Sequence, residues 1–355
     1  MKEKFVAALK VVISLGLMAY LFYRFLSDPV DREVLFNHLT TANYWYLLLG
    51  LTFFVVAVIT NAIKWYILLR AQGIHVPFQA MVNYTFVGQF FNNFLPANVG
   101  GDVMRGFGLA RYTERSAEAA VSVIVDRIIG LLAFMFTAVI AALVAVNIIP
   151  TGQTGTDQTL SHTLTQIETV AIFGMIIMVA GFGMILSHRL RQLFGKIFSY
   201  RFLRPLQPIY RHLSNAFGAY RYQYGALLLA FTVGVATVLL TGLIDIAIVA
   251  GLNGKIEPIY IFLLNPIIAI ALIAPISIGG LGTGSFLYVE LYTMVGAPGA
   301  LVFALSLVKQ ATIYIGSLPG GVLWLRTRQK RAAGTAVRHQ PQEGAETVAP
   351  SPGKS

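Results

Sequence analysis

The chain has 355 residues, of which 56% are hydrophobic and only 12% charged, and its mean hydropathy is +0.70. That balance excludes an ordinary soluble domain and predicts an all-α, polytopic membrane protein. The formal net charge is +11. In such a chain basic residues gather in the loops kept cytoplasmic, so the charge reads as topology and not as a nucleic-acid surface. With no cysteine, disulfides, thiolate metal sites and a Cys nucleophile are all excluded.

Apolar runs long enough to cross a hydrocarbon core fall at Phe5–Phe25, Tyr44–Leu69, Ala119–Asn147, Glu168–Ser187, Gly225–Gly251 and Ala300–Leu325, about six full spans. The first follows Lys2 and Lys4 as a signal peptide would. It is long, however, and shows no small-residue cleavage site before Ser27-Asp28-Pro29, so it is expected to be retained. Residues 188–224 carry seven arginines and lysines and no acid, whereas 148–166 carry no Lys or Arg. The former segment is therefore expected inside, with the N-terminus and the C-terminus, and the latter outside. Residues 1–331 form one transmembrane domain, and from Ala332 to residue 355 the composition turns to Gly, Pro, Ser, Gln and Glu, which predicts a disordered cytoplasmic tail.

Two further apolar stretches, Phe78–Leu95 and Pro258–Gly296, do not fit this count and belong to expected hairpins at about 78–118 and 258–297. If both termini are inside, each must leave the membrane on the side it entered, as a re-entrant hairpin, unless the extra crossings pair up. Both carry the same punctuation. Pro96 with Gly100-Gly101 recurs as Pro275-Ile276-Ser277-Ile278 with Gly279-Gly280. Proline and paired glycines interrupt a helix, and broken helices at matching places in two halves are the mark of inverted repeats around a midplane site.

The first break, Asn92-Asn93-Phe94-Leu95-Pro96-Ala97-Asn98-Val99-Gly100-Gly101-Asp102, is the most polar part of its region. Asp102 is placed to cap a new helix, which sets Arg105 in a first turn where backbone amides and the helix dipole favour an anion. Gln89 and Asn92 share a helical face with Thr85, Gly88 and Pro96. The simpler reading of that face is close packing by small and amide residues. Arg127, beside Asp126, offers a planar fork suited to phosphate, although both residues also suit a helix end at the membrane surface. Asp245 lies deep in an apolar span without a neighbouring base, and Lys309 is a candidate partner. Asp245 and Glu290 are therefore candidates for ion coupling. The six histidines are scattered and make no metal-ligand pair. The glycine-rich run 279–284 has no Walker lysine. No enzyme signature, cofactor or metal is expected, and transport without a nucleotide site must run downhill or on an ion gradient.

The run Gly88-Gln89-Phe90-Phe91-Asn92-Asn93-Phe94-Leu95-Pro96, then Gly100-Gly101-Asp102-Val103-Met104-Arg105, Asp126-Arg127-Ile128-Ile129-Gly130 and Pro275-Ile276-Ser277-Ile278-Gly279-Gly280-Leu281-Gly282, resembles the lysylphosphatidylglycerol synthase/flippase transmembrane-domain family. The resemblance implies a flippase-like protein of a bacterial or archaeal cytoplasmic (inner) membrane, with two inverted re-entrant hairpins. The family's functional positions carry over to Asn92, Asp102, Arg105 and Arg127. One departure is that Gly284-Ser285 stands where the family commonly has Arg-Glu. The soluble aminoacyltransferase portion of the bifunctional synthases has no counterpart here, so synthesis of lysyl-lipid is not expected.

The expected function is translocation of an anionic phospholipid, glycolipid or polyprenyl-phosphate lipid. Arg105 and Arg127 would hold its phosphate at the start of the helix at Asp102, with Gln89 and Asn92 on the headgroup and Gly279 and Gly280 lining the second break. An accessory protein that presents lipid to a partner synthase or glycosyltransferase docked on residues 188–224 is the alternative. Membrane lipids are the expected partners, and an oligomer is compatible with the sequence.

Overall fold

A computed structural model describes residues 2–93, 100–148, 155–186, 214–273, 277 and 279–338. Its principal elements are α1 (Lys2–Ser27), α2 (Pro29–Thr40), α3 (Tyr44–Ala71), α4 (Phe78–Asn92), α5 (Gly100–Thr113), α6 (Ser116–Ile148), α7 (Gly155–Leu186), α8 (Tyr224–Gly251), α9 (Pro258–Ala271), α10 (Thr283–Met294) and α11 (Gly299–Arg338). No strand occurs among the described residues. Among the described residues, five helices are long and apolar enough to cross a membrane: Leu9–Ser27, Tyr44–Ala71, Ser116–Ala145, Tyr224–Gly251 and Gly299–Thr327. The sixth expected span falls within α7, whose apolar part is Ile172–Met184. Pro96, Pro275 and nearly all of the basic 188–224 segment lie outside the described residues. α11 runs on to Arg338, past Ala332 where the composition predicts the tail to begin.

The chain builds one arrangement twice. α3 and α8 are each 28 residues long, about 42 Å at the α-helical rise and more than the roughly 30 Å of a hydrocarbon core. Both close with the same device. Gly73 (φ +72°) and Asn253 (φ +54°) adopt the left-handed conformation. The next amide then reaches back, Ile74 N to Leu69 O at 3.0 Å and Gly254 N to Val249 O at 2.9 Å, which satisfies carbonyls that the helix end would leave bare. A short extended link then leads to a helix opened by proline, Pro77 before α4 and Pro258 at the head of α9. These helices have 15 and 14 residues, about 22 Å, too short to span. A turn and a second short helix follow (α5, α10), and then a long helix (α6, α11).

The two halves run in opposite directions. Asn43, at the start of α3, donates its N–H to the carbonyl of Gly251 at the end of α8 (2.7 Å), and Lys64 near the end of α3 packs on Gly234 near the start of α8. Each long closing helix packs on the other half's first short helix. α6 meets α9 through Met135 and Ile270. α11 meets α4 so closely that a Cβ at Gly320 would collide with the Phe86 carbonyl. The two turns meet as well: a Cβ at Gly279 (φ +58°) would sit 2.6 Å from the Asn93 carbonyl oxygen. Gly279 and Gly280, both with positive φ, thus let the second turn approach the first as well as reverse direction. The largest buried cluster among the described residues centres on the second half, with Ile248, Leu264, Tyr292 and Phe303, and takes in Leu21, Phe54 and Phe86 from earlier helices.

Because Gly320 leaves α4 no room, Gly320→Ala is expected to destabilise the protein by about 1–3 kcal/mol. Gly16, where an alanine methyl would meet nothing within 4 Å, is the control. Thermal unfolding in detergent should show a lowered midpoint for Gly320→Ala and an unchanged one for Gly16→Ala.

Candidate functional site

A chain of ion pairs lies in the first half, among α3, α5 and α6. Asp126 on α6 is 2% exposed. It takes Lys64 Nζ at 3.2 Å on one oxygen and Arg105 Nη2 at 2.5 Å on the other. Lys64 Nζ also donates to the Asp126 carbonyl at 3.2 Å. Arg105 turns its Nε to Asp102 Oδ1, 3.0 Å away, and Asp102 Oδ2 accepts from Arg127 Nε. The Arg105 guanidinium lies over the Trp65 ring, 4.8 Å from its centre, and Trp65 Nε1 donates to Ser122 Oγ at 3.1 Å. Carboxylates and bases alternate along this chain, so each buried charge has its counter-charge.

Three cationic side chains face two carboxylates, leaving one surplus positive charge. A cation stands at each end of the file, Lys64 in the interior and Arg127 toward the surface. The Arg127 side chain is 38% exposed while that of Arg105 is 5% exposed. Arg127 and Asp102 open on a cavity of about 570 Å³ whose other walls are almost wholly apolar, including Val103, Phe107, Ile124 and Leu131 together with Ile273 from the second half. This size matches a small-molecule or lipid-chain site.

The residues singled out in the sequence come together unevenly. Asp102, Arg105 and Arg127 join one network. α5 begins at Gly100, so Asp102 lies inside the first turn and does not cap it. Asn92 supplies the bond instead, its Oδ1 accepting from Gly101 N at 2.9 Å. Gln89 Oε1 in turn accepts from Asn92 Nδ2 at 3.4 Å. These two amides therefore secure the α4–α5 crossing, where a Cβ on Gly101 would collide with the Gly88 carbonyl. Arg105 faces the protein interior rather than the cavity. Gly279 and Gly280 lie at the second turn, where Gly279 touches Asn93. Glu290 points away from Asp245 and pairs with Arg24 of α1 at 3.0 Å, both partly exposed. Asp245 pairs with Lys309 at 2.8 Å, as their isolation in apolar spans predicts.

Lys64, Trp65 and Ser122 belong to the network although their surroundings in sequence do not mark them. The available signal is the charge of Lys64 inside an otherwise apolar span, which demands a partner.

Long apolar helices, two antiparallel halves and buried interhelical ion pairs define a multi-pass helical membrane protein. A family model described as the lysylphosphatidylglycerol synthase TM region matches residues 7–320, and the chain belongs to that family. It is similar to the UPF0104 membrane protein PH1989 of Pyrococcus horikoshii, at 23% identity over 310 residues, 81% of this chain and 89% of that protein. No solved structure matches.

Asp126→Ala would leave Lys64 and Arg105 buried beside each other without their shared acid, and should cost about 3–5 kcal/mol. Lys64→Met keeps the Arg105–Asp126 pair and should cost distinctly less. Comparing the unfolding midpoints of the two variants checks this ranking.

Proposed function

We propose that this protein moves an anionic lipid between the leaflets of a cytoplasmic (inner) membrane, with both termini on the cytoplasmic side. The observation that carries the reading is an apolar groove ending at a partly exposed guanidinium, within a cluster that holds three bases and two acids. A lipid has the complementary form: an anionic phosphate joined to chains that gain nothing from water. Arg127 takes the phosphate, and the chains lie along Val103, Phe107, Ile124 and Leu131. The fork of Arg127 suits two phosphate oxygens at once.

The ion-pair chain allows this without stranding a charge. When Arg127 turns from Asp102 to the phosphate, Asp102 keeps Arg105, and Arg105 still holds Asp126. Arg105 is thus a positioning residue that keeps Asp102 compensated. Asn92 and Gln89 fix the α4–α5 crossing that sets the position of Asp102. The short helices α4–α5 and α9–α10 enter as re-entrant hairpins from opposite leaflets, and their contact at Asn93 and Gly279 lies where the headgroup must pass. Phospholipids, glycolipids and polyprenyl-phosphate lipids all share the required anionic headgroup.

Leaflet exchange of fluorescent phosphatidylglycerol in proteoliposomes tests the reading. The wild-type protein should accelerate exchange, Arg127→Gln should lose nearly all of it while retaining its unfolding midpoint, and Val103→Trp, which fills the groove, should slow it. Protein that binds the lipid yet moves none would overturn the transport reading.

A further inference from the structure

The second half buries its own charge pair, with the signs reversed. In the first half a base on the leading long helix (Lys64, α3) meets an acid on the closing one (Asp126, α6). In the second, an acid on the leading helix (Asp245, α8) meets a base on the closing one (Lys309, α11). Asp245 is 0% exposed. Its Oδ2 accepts from Asn265 Nδ2 at 2.6 Å, Tyr288 Oη at 2.8 Å and Lys309 Nζ at 2.8 Å, and Lys309 Nζ also donates to Tyr288 Oη. The Tyr288 and Tyr292 hydroxyls each lie 2.9 Å from Asn265 Oδ1.

The carboxylate is used one-sidedly. Three donors crowd Oδ2, while the buried Oδ1 has no hydrogen-bond partner. A bare buried carboxylate oxygen is costly, and a ligand that reached it would recover that cost. The cluster as a whole offers a carboxylate, an amide oxygen and two phenol hydroxyls, linked through Asp245 Oδ2 and Asn265 Oδ1, all hard oxygen donors of the kind that bind alkali and alkaline-earth cations. Only one of them carries a negative charge. No group of three acidic or histidine ligands occurs among the described residues, which disfavours a divalent ion. The cluster already holds a monovalent cation, the Lys309 ammonium, whose side chain is 18% exposed and so connects the pair to the surface.

We propose that Asp245, Asn265, Tyr288 and Tyr292 form a site for a small alkali cation of the sodium class, and that Na+ and the Lys309 ammonium compete for it. One carboxylate compensates one positive charge in this interior. Entry of Na+ therefore requires the Lys309 ammonium to swing toward its exposed end, still protonated. Among the described residues no other charged group pairs with this site: Glu290 is taken by Arg24, and Lys64 of the adjacent α3 packs near Gly234 and pairs with Asp126. The exchange would link ion binding to the position of α11, the helix that packs on α4 beside the first turn. Cation binding does not depend on the lipid reading, so either can fail while the other stands.

Binding of radioactive sodium to the purified full chain in detergent, at fixed ionic strength with choline as the replacement cation, tests the site. The wild type should bind sodium saturably and be competed by lithium but not by choline. Asp245→Asn should remove binding. Lys309→Gln, which removes the internal competitor, should bind more tightly, on the order of tenfold or more. Should Lys309→Gln be unstable, its unfolding midpoint should recover with added NaCl and not with choline chloride. Glu290→Gln should bind as the wild type does. No saturable sodium binding by the wild type, or binding that survives Asp245→Asn, overturns the proposal; so does a response to pH alone with none to sodium.

Discussion

A charge withdrawn from water into a helical bundle persists only beside its counter-charge, and this requirement ties the helices of this protein together. Lys64, Arg105 and Arg127 come from three different helices, and Asp102 and Asp126 link them into a single file. Interhelical attraction in a membrane gains little from apolar burial, because the lipid tails are themselves apolar. Close backbone contact and polar pairing carry the specificity instead. Glycines without side-chain bulk, at Gly88, Gly101, Gly279 and Gly320, bring the helices near enough for the pairs to form.

The duplicated, antiparallel build follows from the same economy of parts. One unit consists of a long helix, a left-handed stop, a proline-opened short helix, a second short helix and a long closing helix. It occurs twice with opposite direction, so the two short-helix turns meet inside the molecule. The halves have diverged in charge. The first ends in an Arg127–Asp102 pair at an apolar groove within a cluster of three bases and two acids, and the second encloses a neutral Asp–Lys pair with one idle carboxylate oxygen. An anion complements the first arrangement and a cation the second.

Much of this was legible before any coordinates. Composition and run length determined a helical membrane protein, because only helices satisfy their own backbone in lipid while remaining so apolar. The isolation of Asp245 and Lys309 in apolar spans marked them as partners. The resemblance carried by Asn92, Asp102, Arg105 and Arg127 led to the correct family.

The tertiary structure alone decided what each polar group faces. Asp102, Arg105 and Arg127 are equal in the sequence, yet one arginine is sealed under Trp65 and the other opens on the groove. Lys64 has no acid near it in sequence and meets Asp126 only where α3 crosses α6, and Glu290 pairs with Arg24 of α1. Local sequence determines helices, stops and turns because those depend on backbone geometry within a few residues. Which side chains meet depends on how distant helices cross, and that is settled by close-packed glycines and paired charges far apart in the chain.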